Sequence, residues 1–301
     1  MKLEVMDIRK SFEGNEVLHG ISFSMESGKA LGLLGRNGAG KTTTIRILMD
    51  VFKANSGQIL LDGKPFVPNK YRIGYLPEER GMYPKKKVCD QLGYFGELKG
   101  ISRKQAQQNA KKMLEKLGIE EYYNRRLETL SKGNQQKVQL IQTLISDPDI
   151  IILDEPFSGL DPVNSQMLKD LVTEEIQKGK MVIFSSHQMG YVEEFCEDII
   201  IVNKGEVSLA GKLSEIKKDM GKEKGILSIN GLTVEETAEY CKTRLKQSVS
   251  NIQVKKEFVV FSYKVSKVDL LNQLVKENLD IEVFGDYKPT LTDIFVKVAG
   301  E

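Results

Sequence analysis

The sequence of 301 residues predicts an α/β fold followed by a small α+β domain. Two continuous apolar runs, at residues 30–34 and 150–153, are typical of buried parallel strands. A glycine-rich segment follows the first run and leads into a stretch with helical spacing. After about residue 225 the pattern changes to short elements in the order β-α-β-β-α-β, which is that of a ferredoxin-like fold. We therefore expect two domains, at residues 1–220 and 222–301.

The glycine-rich segment, from Gly35 to Thr43, carries the most specific pattern of the chain. It fits G-x-x-x-x-G-K-[ST] between a strand and a helix, the context in which this motif forms a phosphate-binding P-loop. Glycines let backbone N–H groups surround phosphate oxygens, and a helix that begins at Lys41 adds its positive N-terminal dipole. We expect Lys41 to reach the outer phosphates of a nucleoside triphosphate and the Thr42 hydroxyl to bind Mg²⁺. Further nucleotide contacts are expected from Asn37, Gly38, Ala39, Gly40 and Thr43.

Composition narrows the class of protein. The 44 Lys and Arg residues nearly balance the 42 Asp and Glu residues, so no strong positive field favours nucleic acid. The three cysteines are far apart and form no C-x-x-C pair, which predicts neither a disulfide framework nor a zinc site and fits a reducing cytoplasm. No secretory h-region begins the chain, and no apolar run approaches ~18 residues. We expect a soluble protein whose membrane role comes through a partner.

Periodicity predicts the remaining elements. The strands and helices expected before residue 217 are strands within 3–25, a helix at about 41–51, strands 56–62 and 73–77, a helical block at about 85–145, helix 163–178, strand 181–184, helix 188–196 and a hairpin at 199–210. The Lys-, Glu- and Gly-rich residues 217–225 are interpreted as a linker. The elements expected after it are strand 226–230, helix 234–246, strands 251–256 and 258–265, helix 267–278, strand 280–285 and helix 290–298.

An acidic pair, Asp154 and Glu155, comes directly after the apolar run 150–153. The carboxyl end of a central parallel strand lies beside the phosphate loop in folds of this kind. We therefore expect Asp154 to hold Mg²⁺ through water. Glu155 is the candidate general base that polarises the attacking water.

The segment Leu130 to Gln136 reads L-S-K-G-N-Q-Q. Together with the P-loop, the acidic pair, a Ser-Gly-Leu-Asp segment at 158–161 and Ser-His at 186–187, in this order, it resembles the ATPase subunits of ABC transporters. Their signature motif begins LSGGQ, which Ser131 and Gly133 match and Lys132 and Asn134 do not. The resemblance covers about residues 1–220. It implies a P-loop NTPase core of ABC ATPase type with an antiparallel β subdomain and a helical subdomain.

The resemblance also implies roles for single residues. Phe12 matches the aromatic residue that stacks on adenine, and Glu78 stands where the family has the glutamine of the Q-loop. A carboxylate at that position is able to accept a hydrogen bond from a water on Mg²⁺. Asp161 matches the aspartate that bridges two subunits, and His187 matches the histidine that contacts the γ-phosphate and orients the water of Glu155. Ser131 and Gly133 would face the γ-phosphate.

The function implied is that of an ATP-hydrolysing subunit. Because each chain carries one P-loop and one signature, the resemblance implies a head-to-tail dimer, here a homodimer, that shares two ATP molecules. The chain would lie at the inner face of the cell membrane and dock on a separate permease through a groove between Glu78 and Tyr94, with exposed residues at 81–84. Residues 222–301 resemble the accessory domain of ATPases paired with ABC-2-type permeases, which implies export.

Two other functions use the same phosphate loop. A soluble mechanical ATPase that acts on nucleic acid or the ribosome would carry a long coiled-coil insertion or a second ATPase domain, and neither is found in this sequence. A phosphotransferase kinase would leave residues 131–136 and His187 without a role. The resemblance also implies that the permease selects the transported substrate, so the substrate is not predicted from this sequence.

Overall fold

The computed structural model describes residues 1–79 and 81–300. They form two compact units. The first comprises Met1–Leu213 and the C-terminal residues from Phe295 onward, and the second comprises Ser214–Ile294. None of the helices in the described ranges has the length and apolar character needed to span a bilayer.

Strands and α-helices follow one another along the described chain, singly or in runs of two or three. The strands are β1 (Lys2–Phe12), β2 (Asn15–Glu26), β3 (Ala30–Leu34), β4 (Ser56–Leu61), β5 (Lys64–Pro65), β6 (Ile73–Leu76), β7 (Ile150–Asp154), β8 (Met181–Ser185), β9 (Asp198–Asn203), β10 (Glu206–Lys212), β11 (Lys224–Ile229), β12 (Val249–Val254), β13 (Val259–Tyr263) and β14 (Ile281–Asp286). The α-helices are α1 (Lys41–Leu48), α2 (Val88–Leu98), α3 (Arg103–Lys116), α4 (Lys132–Leu144), α5 (Pro162–Gln177), α6 (Met189–Phe195), α7 (Leu213–Gly221), α8 (Val234–Thr243), α9 (Lys267–Lys276) and α10 (Leu291–Ala299).

The first unit is built on a six-stranded sheet with the order β10-β9-β3-β8-β7-β6. All of its pairings are parallel except that of the edge strand β10 with β9. Every residue of β3, β7 and β8 is buried, as expected for parallel strands covered on both faces by other elements. This confirms the two buried parallel strands predicted from the apolar runs. Their carboxyl ends lie at one edge, where the P-loop and the acidic pair follow.

A second sheet of the same unit is antiparallel, with the order β2-β1-β4-β5. Its apolar face and the central sheet enclose one core that also holds α1. Ile45 of α1, Leu3 of β1 and Ile152 of β7 are all buried in this core. Full burial of one such side chain stabilises the fold by roughly 1.5–3 kcal/mol. The packing therefore fixes the start of α1, which is where the phosphate loop ends.

The helical block consists mainly of α2, α3 and α4. Helix α3 begins after Ser102, whose hydroxyl accepts a hydrogen bond from the Gln105 amide, and it buries Ala106, Ala110 and Leu114 at helical spacing. A side chain at Gly96 would place its Cβ 2.3 Å from the Cβ of Ala106, so α2 and α3 approach each other closely at a glycine. The block thus forms the helical subdomain that the sequence predicted.

The second unit contains a four-stranded antiparallel sheet with the order β12-β13-β11-β14. This order, with α8 and α9 as the two crossover helices, is that of a ferredoxin-like fold. The prediction that residues 217–225 form a linker was wrong, because α7 continues to Gly221 and β11 begins at Lys224. Leu213, Ile216 and Met220 lie at helical spacing along α7, and the charged residues between them hid this apolar stripe.

Candidate functional site

The phosphate loop occupies the turn between β3 and α1, and its glycines are required by geometry. Gly38 and Gly40 have φ angles of 78° and 112°, in the left-handed region that favours glycine. A Cβ on Gly40 would lie 2.6 Å from Cδ2 of Leu18, and a Cβ on Gly35 would lie 2.5 Å from the carbonyl oxygen of Val202. The chain therefore has no room for a side chain at either point.

Lys41 begins α1 and is only 8% exposed. Its Nζ donates hydrogen bonds to the carbonyl oxygens of Gly35 (2.7 Å) and Arg36 (3.2 Å), which hold the ammonium group across the loop. Burial lowers the pKa of Lys41, while the nearby carboxylates of Glu155 and Asp154 oppose this shift. The result is a positive charge held in place at the phosphate loop.

A cavity of about 520 Å³ opens beside the loop. It is lined by Val17, Arg36, Asn37, Gly38, Gly40, Lys41, Thr42, Thr43, Glu78, Asp154, Glu155 and His187. The structure thus brings most of the predicted P-loop residues together with the acidic pair, Glu78 and His187. Ala39 lies outside the lining, since it is buried and its amide donates to the Arg36 carbonyl oxygen at 3.1 Å. Sequence reasoning missed Val17 and Arg36 as lining residues. In the sequence Val17 looks like any other apolar residue of a strand, and Arg36 occupies a position of the motif where any residue is allowed.

Glu155 lies directly after β7 and is 8% exposed, with a φ angle of 50° that is uncommon for a residue with a side chain. Its Oε2 accepts a hydrogen bond from the Ser186 hydroxyl at 2.9 Å. Its Oε1 accepts one from the backbone amide of His187 at 2.8 Å and lies 2.6 Å from His187 Nδ1. The carboxylate is therefore held by the two residues that follow the neighbouring strand β8. Ser186 was missed as a site residue, and its only sequence signal is its place before His187 at the end of a strand.

Asp154 is the last residue of β7 and is 5% exposed. Burial raises the pKa of its carboxyl, and the nearby carboxylates of Glu155 and Glu78 raise it further. The cavity thus presents three carboxylates against the side chains of Lys41 and Arg36. This excess of negative charge in a phosphate-binding cavity favours a cation.

The residues of the signature segment and Asp161 form a second group outside the lining of this cavity. Ser131 caps α4 by accepting a hydrogen bond from the Asn134 amide (3.3 Å), and Asp161 caps α5 by accepting one from the Asn164 amide (2.9 Å). The Asn164 hydrogen bond also holds the pKa of Asp161 below its usual value. A Cβ on Gly133 would lie 3.0 Å from Nδ2 of Asn164, so the two helix starts are neighbours.

Phe12 is the last residue of β1 and also lies outside the lining. Its ring is 41% exposed and meets the ring of Phe52 edge to face, with centroids 5.3 Å apart. Nζ of Lys10 lies 5.1 Å from the centroid of Phe12. Its predicted stacking on adenine stays a prediction.

The predicted docking groove begins beside the cavity, and Arg80 within it lies outside the described residues. The expectation that residues 81–84 are exposed was wrong for Met82, which is 8% exposed. The amide of Tyr83 donates to Oε1 of Gln91 at 2.8 Å, which ties the segment to α2 and leaves Met82 turned inward. Tyr83, Tyr94 and Leu98 remain 54%, 45% and 63% exposed.

Comparison with known proteins places this chain in a family. The model of the ABC transporter family matches residues 18–158. The uncharacterized ABC transporter ATP-binding protein YhaQ of Bacillus subtilis is 45% identical over 224 residues, which cover 73% of this chain and 74% of that protein. The linearmycin resistance ATP-binding protein LnrL of the same organism is 27% identical in an alignment of 309 positions, which covers 99% of this chain and 98% of that protein. A solved ATP-binding subunit of an ABC transporter superposes with a TM-score of 0.68 at 26% identity, covering 81% of this chain and all of that one. The chain therefore belongs to the family of ABC transporter ATP-binding proteins.

Proposed function

We propose that the chain hydrolyses Mg-ATP as one of two facing copies and powers a separate membrane permease, in the direction of export. The observation that carries this proposal is the tie between Glu155 and His187 beside the phosphate loop. A carboxylate at hydrogen-bonding distance from a histidine, next to a phosphate site, is suited to activate water.

In the proposed reaction Lys41 exchanges its two carbonyl contacts for oxygens of the β- and γ-phosphates. Glu155 accepts a proton from the water that attacks the γ-phosphorus, and the bond from that phosphorus to the bridging oxygen breaks as ADP leaves. A carboxylate only accepts hydrogen bonds, so Nδ1 of His187 carries a proton. Nε2 would donate to a phosphate oxygen only when it is protonated as well, because that oxygen is itself an acceptor. The His187 side chain is 63% exposed, which leaves it open to the γ-phosphate.

The residues present fit Mg²⁺, which would neutralise the charge that develops on the phosphates. Thr42, Asp154 and Glu78 offer oxygen donors, which this ion prefers. Within residues 1–79 and 81–300 no three His, Cys, Asp or Glu side chains are grouped to hold a metal by themselves. That suits an ion that keeps several waters and is bound mainly through substrate phosphates.

A dimer is proposed because the residues that line the ATP cavity include none of the signature segment, residues 130–136. Ser131 and Lys132 are exposed at the start of α4, where backbone amides and the helix dipole attract an anion. Since they do not line the cavity of their own chain, we propose that they close the cavity of a second copy, with Asp161 at the boundary between the two.

The permease contact is proposed for the exposed side chains of Tyr83, Tyr94 and Leu98. Tyr83 stacks on Phe95 with ring centroids 6.2 Å apart, so it presents a fixed aromatic surface. Such exposed aromatic residues are typical of protein interfaces. Docking there would hold the chain at the inner face of the cell membrane. Export is supported by LnrL, since resistance to a compound fits its removal from the cell.

Phosphate release from Mg-ATP by the purified chain tests the proposal. Glu155→Gln should lower the rate about a hundredfold or more, because the general base is lost. Glu121→Gln, an exposed carboxylate outside the cavity, is the matched control and should leave the rate unchanged. An unaltered rate in Glu155→Gln would contradict the assigned base.

The permease contact is tested by coexpression with the membrane protein encoded beside this chain. We expect the two to copurify, and Tyr83→Glu with Leu98→Glu to abolish copurification while ATP binding persists. Copurification with nucleic acid instead of a membrane protein would favour the mechanical ATPase.

A further inference from the structure

The second unit contains a cavity of about 720 Å³ with a strongly basic lining. Six lysines line it, namely Lys217, Lys218, Lys222, Lys224, Lys267 and Lys288. The only carboxylates in this lining, as far as the chain is described, are Glu223 and Asp286. All of these residues belong to the second unit. None of them takes part in the proposed ATP site.

The fold gathers these lysines from separate elements. They come from the last turns of α7, the connection to β11, the start of α9 and the segment after β14. Gly221 permits this, because a Cβ there would lie 2.2 Å from the carbonyl oxygen of Tyr287. The amide of Tyr287 also donates to the carbonyl oxygen of Lys224 at 2.9 Å. The end of α7 is thus held against the segment that carries Lys288.

Most of this positive charge is not neutralised by ion pairs among the described residues. Lys267 pairs with Asp286 at 2.9 Å. Within the described residues, no ion pair is made by Lys218, Lys222, Lys224 or Lys288. Like charges around one cavity repel each other, and the repulsion is relieved when an anion binds between them.

We propose that this cavity binds a phosphate-bearing anion with two or more negative charges. Its volume lies in the range of small-molecule sites, about 300–1,000 Å³. The lysine ammonium is a compact point charge that commonly binds phosphate. The phosphate group belongs either to a free metabolite or to the headgroup of an anionic lipid. The site is independent of the proposed ATP hydrolysis.

Binding is tested on the full chain carrying Lys41→Ala, which weakens phosphate binding at the P-loop. Inorganic pyrophosphate in calorimetry probes a free phosphate compound. Flotation with vesicles of equal parts phosphatidylglycerol and phosphatidylcholine probes a lipid headgroup. We expect one of the two probes to bind, and binding to weaken as salt is added.

Charge reversal identifies the site. Lys218→Glu, Lys222→Glu and Lys288→Glu together should weaken binding at least about tenfold. The matched control combines Lys246→Glu, Lys256→Glu and Lys276→Glu, which are exposed, lie outside the cavity and make the same change in charge. If the charge-reversal variant does not fold, the same three lysines are changed to glutamine instead, and thermal melting checks that this variant folds. It should show the same weakening of binding. Absence of binding by both probes, or equal binding by the cavity and control variants, would overturn the proposal.

Discussion

The hydroxyl of Ser186 is predicted to hold the carboxylate of Glu155, the proposed general base, in position. It is fully buried, donates to Oε2 of Glu155 at 2.9 Å and accepts from the Gln188 amide at 3.0 Å. Ser186→Ala removes both contacts and leaves the Gln188 amide without this acceptor. Glu155 keeps its contacts to His187 through Oε1 only, so its other oxygen is no longer fixed.

The size of the effect follows from these contacts. A hydrogen bond to a charged group contributes roughly 1.5–3 kcal/mol to the free energy of unfolding. In a domain of this size each kcal/mol changes Tm by about 2–4 °C, so we expect Tm to fall by about 3–12 °C. We also expect kcat for ATP hydrolysis to fall about tenfold, as part of the gain from a positioned base is lost. KM for ATP should change less than about twofold, because the phosphate loop is untouched.

Ser146→Ala is the matched control for this prediction. The Ser146 hydroxyl is also buried but has no hydrogen-bond partner among the described residues, and it precedes β7 at the end opposite the cavity. In scanning calorimetry the free energy of unfolding of this control should stay within about 0.5 kcal/mol of that of the parent chain. Its rate of phosphate release should be unchanged. If Ser186→Ala behaves like Ser146→Ala in both measurements, the reasoning is refuted.

Two further substitutions test the loop and the second unit. Gly40→Ala places a side chain on a residue with a φ of 112° and brings its Cβ within 2.6 Å of Leu18. ADP binding measured by calorimetry should therefore weaken at least about tenfold. An unaltered affinity would contradict the loop geometry. Burial disfavours the charged form of Asp293, but hydrogen bonds from Lys255 (2.5 Å) and Thr290 outweigh it and hold the pKa of this carboxyl below its usual value of 3.8. A lowered pKa stabilises the fold above 3.8 and less so as the pH falls through the folded value, so Asp293→Asn should cost about 1–3 kcal/mol in urea unfolding at neutral pH and progressively less in acid. A cost that does not change with pH would argue against this ion pair.

The architecture could be predicted because its central signals are local. The apolar runs of β3 and β7 need no partner to be recognised, and the P-loop motif specifies its own turn. Helix α7 could not be predicted in the same way. Its apolar residues Leu213, Ile216 and Met220 are spaced among lysines and acidic residues, and composition suggested a linker.

The site could be predicted only in part. Lys41, Glu155 and His187 each have a motif signal, and the structure brings them to one cavity. Ser186 has almost none, because its contact depends on the φ of 50° at Glu155 and on the pairing of β7 with β8. The basic cavity of the second unit depends likewise on elements that are distant in sequence. The roles of Phe12 and Glu78 stay predictions.

The proposed shared ATP site is tested most directly by the mass of Glu155→Gln in solution. Light scattering should find a dimer at saturating Mg-ATP and a monomer with ADP, because in the proposed dimer ATP would bind both the loop of one chain and Ser131 and Gly133 of the other. Adding Ser131→Ala should weaken the dimer. A Glu155→Gln chain that stays monomeric at saturating Mg-ATP would contradict the shared site.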